Sequence, residues 1–182
     1  ADQIGYFCDI CHDTNVLWSG NLLRSPLSTL QTWDAQNYLT LAAHWYVVGE
    51  KSIAFFPLLP SIVRITWLFT GESFLVAQAV ATLISFAAII AFYTMVQLLS
   101  DRRIALWSTI LLITFPTAFF LHLIYTESIF ILLFSIVVIG LWQRMPWLSG
   151  IASLLLVLSR PHGLVAVIGI IVAFAWTERH AL

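Results

Sequence analysis

The sequence predicts an all-α polytopic membrane protein, and three observations carry the prediction. Hydrophobic residues make up 60% of the 182 residues and charged residues only 9%, where a soluble domain carries about 25% charge. Mean hydropathy is +0.94. Beyond Glu72, long apolar runs recur with only short polar breaks between them. Eight Lys and Arg with nine Asp and Glu cannot coat a globule of this size, and a net charge of -1 attracts no polyanion. An ordinary soluble domain, a disordered chain and a nucleic-acid binder are thereby excluded. The first residue is Ala1 rather than Met, so a processed chain or a fragment is expected.

Residues 1–72 read as an extracytoplasmic or interfacial loop region. Residues 1–52 hold five of the nine acids but only two bases, Arg24 and Lys51, and contain neither a signal-peptide pattern nor a run approaching the ~20 apolar residues of a spanning helix. Within this region, residues 33–46 have helical periodicity. Ala35, Tyr38, Leu39, Ala42, Trp45 and Tyr46 share one face, and Thr32 is placed to cap the start. This is the pattern of an amphipathic helix lying in the membrane interface. Residues 53–70 are long enough to test as a span, but Pro57, Pro60 and Arg64 break them. The stretch from Phe55 to Pro60 reads as a bent, partly buried loop, and the whole as an interfacial or re-entrant element.

Residues 73–182 read as the transmembrane region, with spans near 74–99, 104–123, 128–142, 147–159 and 163–176. The fourth is short, since ~13 residues rise only about 20 Å. Arg102 and Arg103, Arg144 and Arg179 fall in alternate breaks, which places them together on the cytoplasmic side. Trp107, Trp142, Trp147 and Trp176 then lie near that interface, and Glu72, Glu127, Arg160 and His162 on the opposite side.

Few residues are left to carry chemistry. Asp34 sits in the first turn of the interfacial helix, one turn from Tyr38; it either complements the helix dipole or acts on a substrate. Glu127 stands at a helix start after Tyr125 and Thr126, where a capping role competes with a functional one. Arg160 lies beside Pro161 between two apolar runs. An arginine at membrane depth costs several kcal/mol unless paired or hydrated, and Glu127 is its expected partner, in a site or in a purely structural pair. His44, His122 and His162 fall near the same face, but no pair has the spacing of a zinc helix motif, so no metal site is expected. The segment Cys8-Asp9-Ile10-Cys11-His12 matches the C-x-x-C-H pattern of c-type haem attachment. A haem also needs a packed pocket and usually a second axial ligand. A disulfide, a structural metal or no special role stay open for this segment.

Four stretches occur in an order that resembles a known family. They are Trp33-Asp34-Ala35-x-x-Tyr38 with Leu41-Ala42; Ile53-Ala54-Phe55-Phe56-Pro57-Leu58-x-Pro60 with Arg64; Phe115-Pro116-Thr117-Ala118-Phe119-Phe120 with Tyr125-Thr126-Glu127-Ser128; and Ser159-Arg160-Pro161-x-Gly163. Running from about residue 24 to 176, they resemble the integral-membrane mannosyltransferases of the GPI mannosyltransferase 2 (PIG-V) type, and their prokaryotic relatives most. The resemblance implies a GT-C glycosyltransferase-like helical bundle. It implies transfer of a sugar, mannose in this family, from a polyprenyl- or dolichyl-phosphate donor to a glycan or glycolipid acceptor on the non-cytoplasmic face. The membrane would be the cell membrane in a prokaryote and the endoplasmic reticulum in a eukaryote. The family's acidic residue in the first extracytoplasmic loop corresponds to Asp34, and segment 53–70 to part of that loop. The family also has a helix before the Trp-Asp motif and helices beyond Leu182, so the chain is expected to be part of a longer enzyme or a divergent short form.

The residues suit that chemistry. Asp34 is the candidate base for the acceptor hydroxyl. Arg160 is the candidate ligand of the leaving phosphate, with His162 or His44 as further donors. Glu127 orients Arg160 or binds sugar hydroxyls, and Tyr38, Trp33 and Trp45 stack on the sugar or lie along the lipid. No cofactor or metal is called for, because no diphosphate has to be neutralised. The rival classes are a transporter or assembly subunit, and a haem-bearing membrane redox subunit.

Overall fold

The computed structural model describes residue 30 and residues 33–49 and 51–180. Thr32 and the Cys8–His12 segment lie outside the described residues. Those that are described are helical throughout, with no strand among them: α1 (Asp34–His44), α2 (Leu58–Thr70), α3 (Phe74–Leu99), α4 (Arg102–Thr114), α5 (Glu127–Trp142), α6 (Pro146–Ser159) and α7 (Pro161–His180). Two 3-10 turns, Lys51–Ala54 and Ala118–Leu121, sit between α1 and α2 and between α4 and α5.

The 26-residue α3 is the axis of the fold, about 39 Å long. It is the one described helix long and apolar enough to cross a membrane. Its buried stripe is made of small residues, Ala77, Ala81, Ser85 and Ala88, which lets α5 approach closely. Its other faces leave Leu75, Leu83, Phe86 and Ile90 exposed. Helix α5 packs on α3 and, through Ile129, Leu133 and Val137, on Ala152 and Leu156 of α6. The α5–α6 turn is tight: the Ser149 hydroxyl donates to the Val137 carbonyl at 3.2 Å, and Gly140 leaves the room for it.

Direction follows from contacts at the helix ends. Gln78, in the first turns of α3, donates its amide to the His122 carbonyl just before α5. Helices α3 and α5 therefore start at the same end of the bundle and run parallel. Since α6 returns antiparallel to α5, the α6–α7 junction comes back to that starting end. Arg102, Arg103 and Arg144 all lie at the other end.

The sequence reading is corrected in three places. Residues 104–123 are not one span. Helix α4 stops at Thr114, where Phe115 turns extended at φ -62°, ψ 140°. Pro116 forces this, since its ring excludes the residue before it from the α region. Residues 53–70 are not a bent loop up to Pro60. Pro57 is the N-cap of α2, and Pro60 stands in its first turn, where a missing N–H costs nothing. Helix α1 covers 34–44 rather than 33–46, because Trp45 takes φ 65° and leaves the helix. Tyr46 instead donates its hydroxyl to the Phe55 carbonyl at 2.8 Å.

The α6–α7 junction shows how a short motif sets a geometry. Arg160, preceding Pro161, is extended at φ -160°, ψ 156°. The Leu156 carbonyl accepts the Ser159 hydroxyl at 2.6 Å. Gly163, whose N–H returns to the Arg160 carbonyl at 2.9 Å, lies against Leu156 so closely that a Cβ would overlap its carbonyl. A methyl group at Gly150 of α6, by contrast, meets open space. We expect Gly163→Ala to lower stability by about 1–3 kcal/mol and Gly150→Ala to raise it by about 0.5–1 kcal/mol. Thermal unfolding followed by far-ultraviolet circular dichroism checks the opposite signs.

Candidate functional site

The starting end of the bundle gathers three separate parts of the chain: the first turn of α1, the Tyr125-Thr126-Glu127 segment, and the α6–α7 junction. Glu127 opens α5, where a carboxylate complements the helix dipole. Its Oε1 stands 3.0 Å from Nη1 of Arg160, and both side chains keep about a third of their surface open, 28% and 33%. The extended backbone at Arg160 is what aims the guanidinium across from α6 to α5. Glu127 Oε2 is buried and has no hydrogen-bond partner among the described residues.

The pair forms the charged part of the wall of a cavity of about 680 Å³. The rest of the wall is mainly apolar and aromatic, with Phe92 of α3, Leu112 of α4, Phe115 and Phe120 of the 115–126 connection, and Phe130 of α5. The break at Pro116 makes this space, since a continuous helix through residue 123 would fill it.

Asp34 is exposed and is not part of that wall. It is tied to the pair through the chain segment beside Glu127. The Asp34 N–H donates to the Tyr125 hydroxyl at 3.3 Å, and the Tyr38 and Thr126 hydroxyls share a hydrogen bond of 3.3 Å. Tyr38 is buried, which raises its pKa; the Thr126 bond opposes the rise, Asp34 and Glu127 add to it, and Arg160 opposes it. One hydroxyl thus feels all three charged groups. Trp33, with its ring exposed, lies 6.2 Å from Phe120, which stacks on Tyr125 at 5.3 Å.

Not every candidate converges. His44 lies at the far end of α1, about 15 Å along the axis from Asp34. His162 is exposed in the first turn of α7, two residues past Arg160. Trp45, just past the end of α1, packs edge-on against Tyr46 at 5.3 Å. No group of three or more His, Cys, Asp or Glu able to hold a metal occurs among the described residues. Sequence reasoning missed the links made by Tyr125 and Thr126. It also missed the role of Arg64, which donates to the carbonyls of Ala42 and Ala43 at 2.9 and 3.0 Å and so caps the end of α1. The available signal was a Tyr-Thr pair directly before an acid at a helix start.

Among the described residues, fold and site define a helical protein with an acid–base pair in the wall of a mainly apolar cavity and a second carboxylate on a helix start beside it. The family model described as Mannosyltransferase (PIG-V) matches residues 5–175, and the chain belongs to that family. It is a glycosyltransferase by membership. No curated protein and no solved structure matches the chain significantly.

Burial pushes the Tyr125 phenol up to about 12, with Asp34, Glu127 and Tyr38 adding to the rise and the bond from the Asp34 N–H opposing it. An unperturbed tyrosine titrates near pH ~10. The folded value is the higher one, so the stability Tyr125 adds is fully present below about pH 10. It is lost as the pH rises through about 12. Phenolate absorbance should show tyrosines that ionise late, and the one titrating near pH 12 should disappear in Tyr125→Phe.

Proposed function

We propose that this glycosyltransferase is a polytopic membrane enzyme of GT-C type. It moves a sugar, mannose by family, from a polyprenyl- or dolichyl-phosphate donor to a glycan or glycolipid acceptor on the non-cytoplasmic face. The observation that carries the reading is the Arg160–Glu127 pair set in the wall of a mainly apolar cavity. A lipid-linked sugar phosphate has the matching form: an anionic head to meet an arginine, and an apolar chain to lie along Phe92, Leu112 and Phe130. Membrane embedding is supported by α3 and by the shorter apolar helices α2, α5, α6 and the first part of α7. It is supported too by the exposure of Leu68, Phe69, Leu83, Val165 and Val172, an apolar surface larger than water tolerates. Arg102, Arg103 and Arg144 at the far end of the bundle make that end cytoplasmic.

In the proposed reaction the Asp34 carboxylate takes the proton of the acceptor hydroxyl as its oxygen bonds to the anomeric carbon. The bond from that carbon to the phosphate oxygen breaks, and its electron pair leaves with the lipid phosphate. The added negative charge falls beside Arg160, whose planar guanidinium binds two oxygens at once. Glu127 holds Arg160 with one oxygen, while its buried Oε2 has no partner among the described residues; its part in the reaction is to orient the guanidinium. Tyr38 lines the approach from α1, and the exposed Trp33 ring offers a face to the sugar. His162 and His44 are lesser donors in this scheme, since neither is drawn into the cluster.

Sugar transfer from a polyprenyl-phosphate donor in membranes containing the protein tests the assignment. Asp34→Asn should cost roughly 10²–10⁴-fold in rate with expression unchanged, whereas a dipole-only role predicts nearly full activity. Arg160→Lys keeps the charge but loses the fork, so donor use should weaken while the protein still inserts. Cysteines placed at 34, 127 and 162 should react with an impermeant reagent from outside, and cysteines at 102 and 144 should not. Reaction at 34 from the cytoplasm alone would refute the shared site.

A further inference from the structure

Helix α1 has no cap of its own. Trp33, its N-cap residue, sits at φ 54°, ψ -124° and makes no side-chain capping bond. The first N–H groups of a helix need partners from elsewhere. For Asp34 the partner is the hydroxyl of Tyr125, 91 residues away. One turn further along α1, Tyr38 meets Thr126. Tyr125 and Thr126 are adjacent in the chain, and the next residue is Glu127, which holds Arg160. Three consecutive residues thus connect the first turn of α1 to the guanidinium. Tyr125 is suited to fix a distance, because its ring is only 5% exposed and is stacked on Phe120.

We propose that Tyr125, with Thr126 one turn along, is a positioning residue: by accepting the Asp34 N–H it sets where the Asp34 carboxylate stands relative to Arg160. The proposal rests on the reading of Asp34 as the base, and deepens it. The ring alone cannot do this. Tyr125→Phe keeps the stacking on Phe120 but leaves the Asp34 N–H without its acceptor, and the first turn of α1 is then free to shift. A misplacement of about 1 Å costs a reaction on the order of a hundredfold.

The test compares Tyr125→Phe, Asp34→Asn and the double variant in the transfer assay. Tyr46→Phe is the control, because it deletes a tyrosine hydroxyl bond that touches neither Asp34 nor residues 125–127, that to the Phe55 carbonyl. Tyr125→Phe should lower kcat about ten- to hundredfold with the donor KM within about twofold of wild type. Tyr46→Phe should leave kcat unchanged. In the Asp34→Asn background, Tyr125→Phe should have no further effect, because the group it positions is gone. Hydrogen exchange should show loss of protection at the Asp34 amide, with protection in α3 unchanged. If Tyr125→Phe fails to accumulate, Thr126→Val removes the parallel bond and is held to the same pattern. Wild-type kcat in Tyr125→Phe beside an impaired Asp34→Asn would overturn this proposal alone, and so would an undiminished loss in the double variant or a change confined to KM. Wild-type turnover in Asp34→Asn would overturn the base reading and this proposal with it.

Discussion

The charge of Arg160 has to be met inside a largely apolar structure, and the rest of the architecture is arranged around that requirement. A guanidinium held between two apolar helices is tolerable only with a counter-charge. Glu127 supplies it at 3.0 Å from the next helix pair. That contact needs an extended residue between α6 and α7, hence Pro161 after it, Ser159 to occupy the Leu156 carbonyl, and Gly163 to let α7 begin against α6. It also needs α5 to start at the same end of the bundle, which the Gln78 bond to the His122 carbonyl secures. The pair adds a second directional link between helices that are otherwise joined by apolar packing and the Ser149–Val137 hydrogen bond.

Helix α1 poses a different problem. It has eleven residues, and isolated helices shorter than ~12–15 residues are marginal in water. It survives because both ends are held by distant groups, Tyr125 at the start and Arg64 at the finish, with Ala35, Tyr38, Leu39 and Ala42 packed between them against α2 and the 123–125 segment. Its order is therefore borrowed from the rest of the chain.

Much of this was legible because charge is scarce. With so few ionic groups, Arg160 beside Pro161 and Glu127 at a helix start had few other partners, and the pairing could be read from chemistry alone. Helix α3 was legible from end to end, since a mostly apolar run of 26 residues without a charge or a proline allows little else. The misreading at 104–123 has the opposite cause: hydropathy averages over a window, while a single residue, Pro116, decides the backbone. Tyr125 escaped because its role lies in a contact 91 residues away. Neither periodicity nor composition reports that, and a tyrosine next to an apolar helix is ordinary at a membrane surface. His44 looked close to Asp34 in the chain, yet the ten helical steps between them span about 15 Å.

The unequal lengths of the helices bear on the lipid as well as on the protein. Helix α3 rises about 39 Å, while α4 and α6 rise about 20 and 21 Å. The hydrocarbon layer of a typical bilayer is about 30 Å thick. In the membrane setting proposed above, α4 and α6 are each shorter than that layer, and a bilayer beside either of them thins to match. Turnover of the proposed enzyme then becomes a property of the membrane too, rising in thin bilayers and falling as acyl chains lengthen.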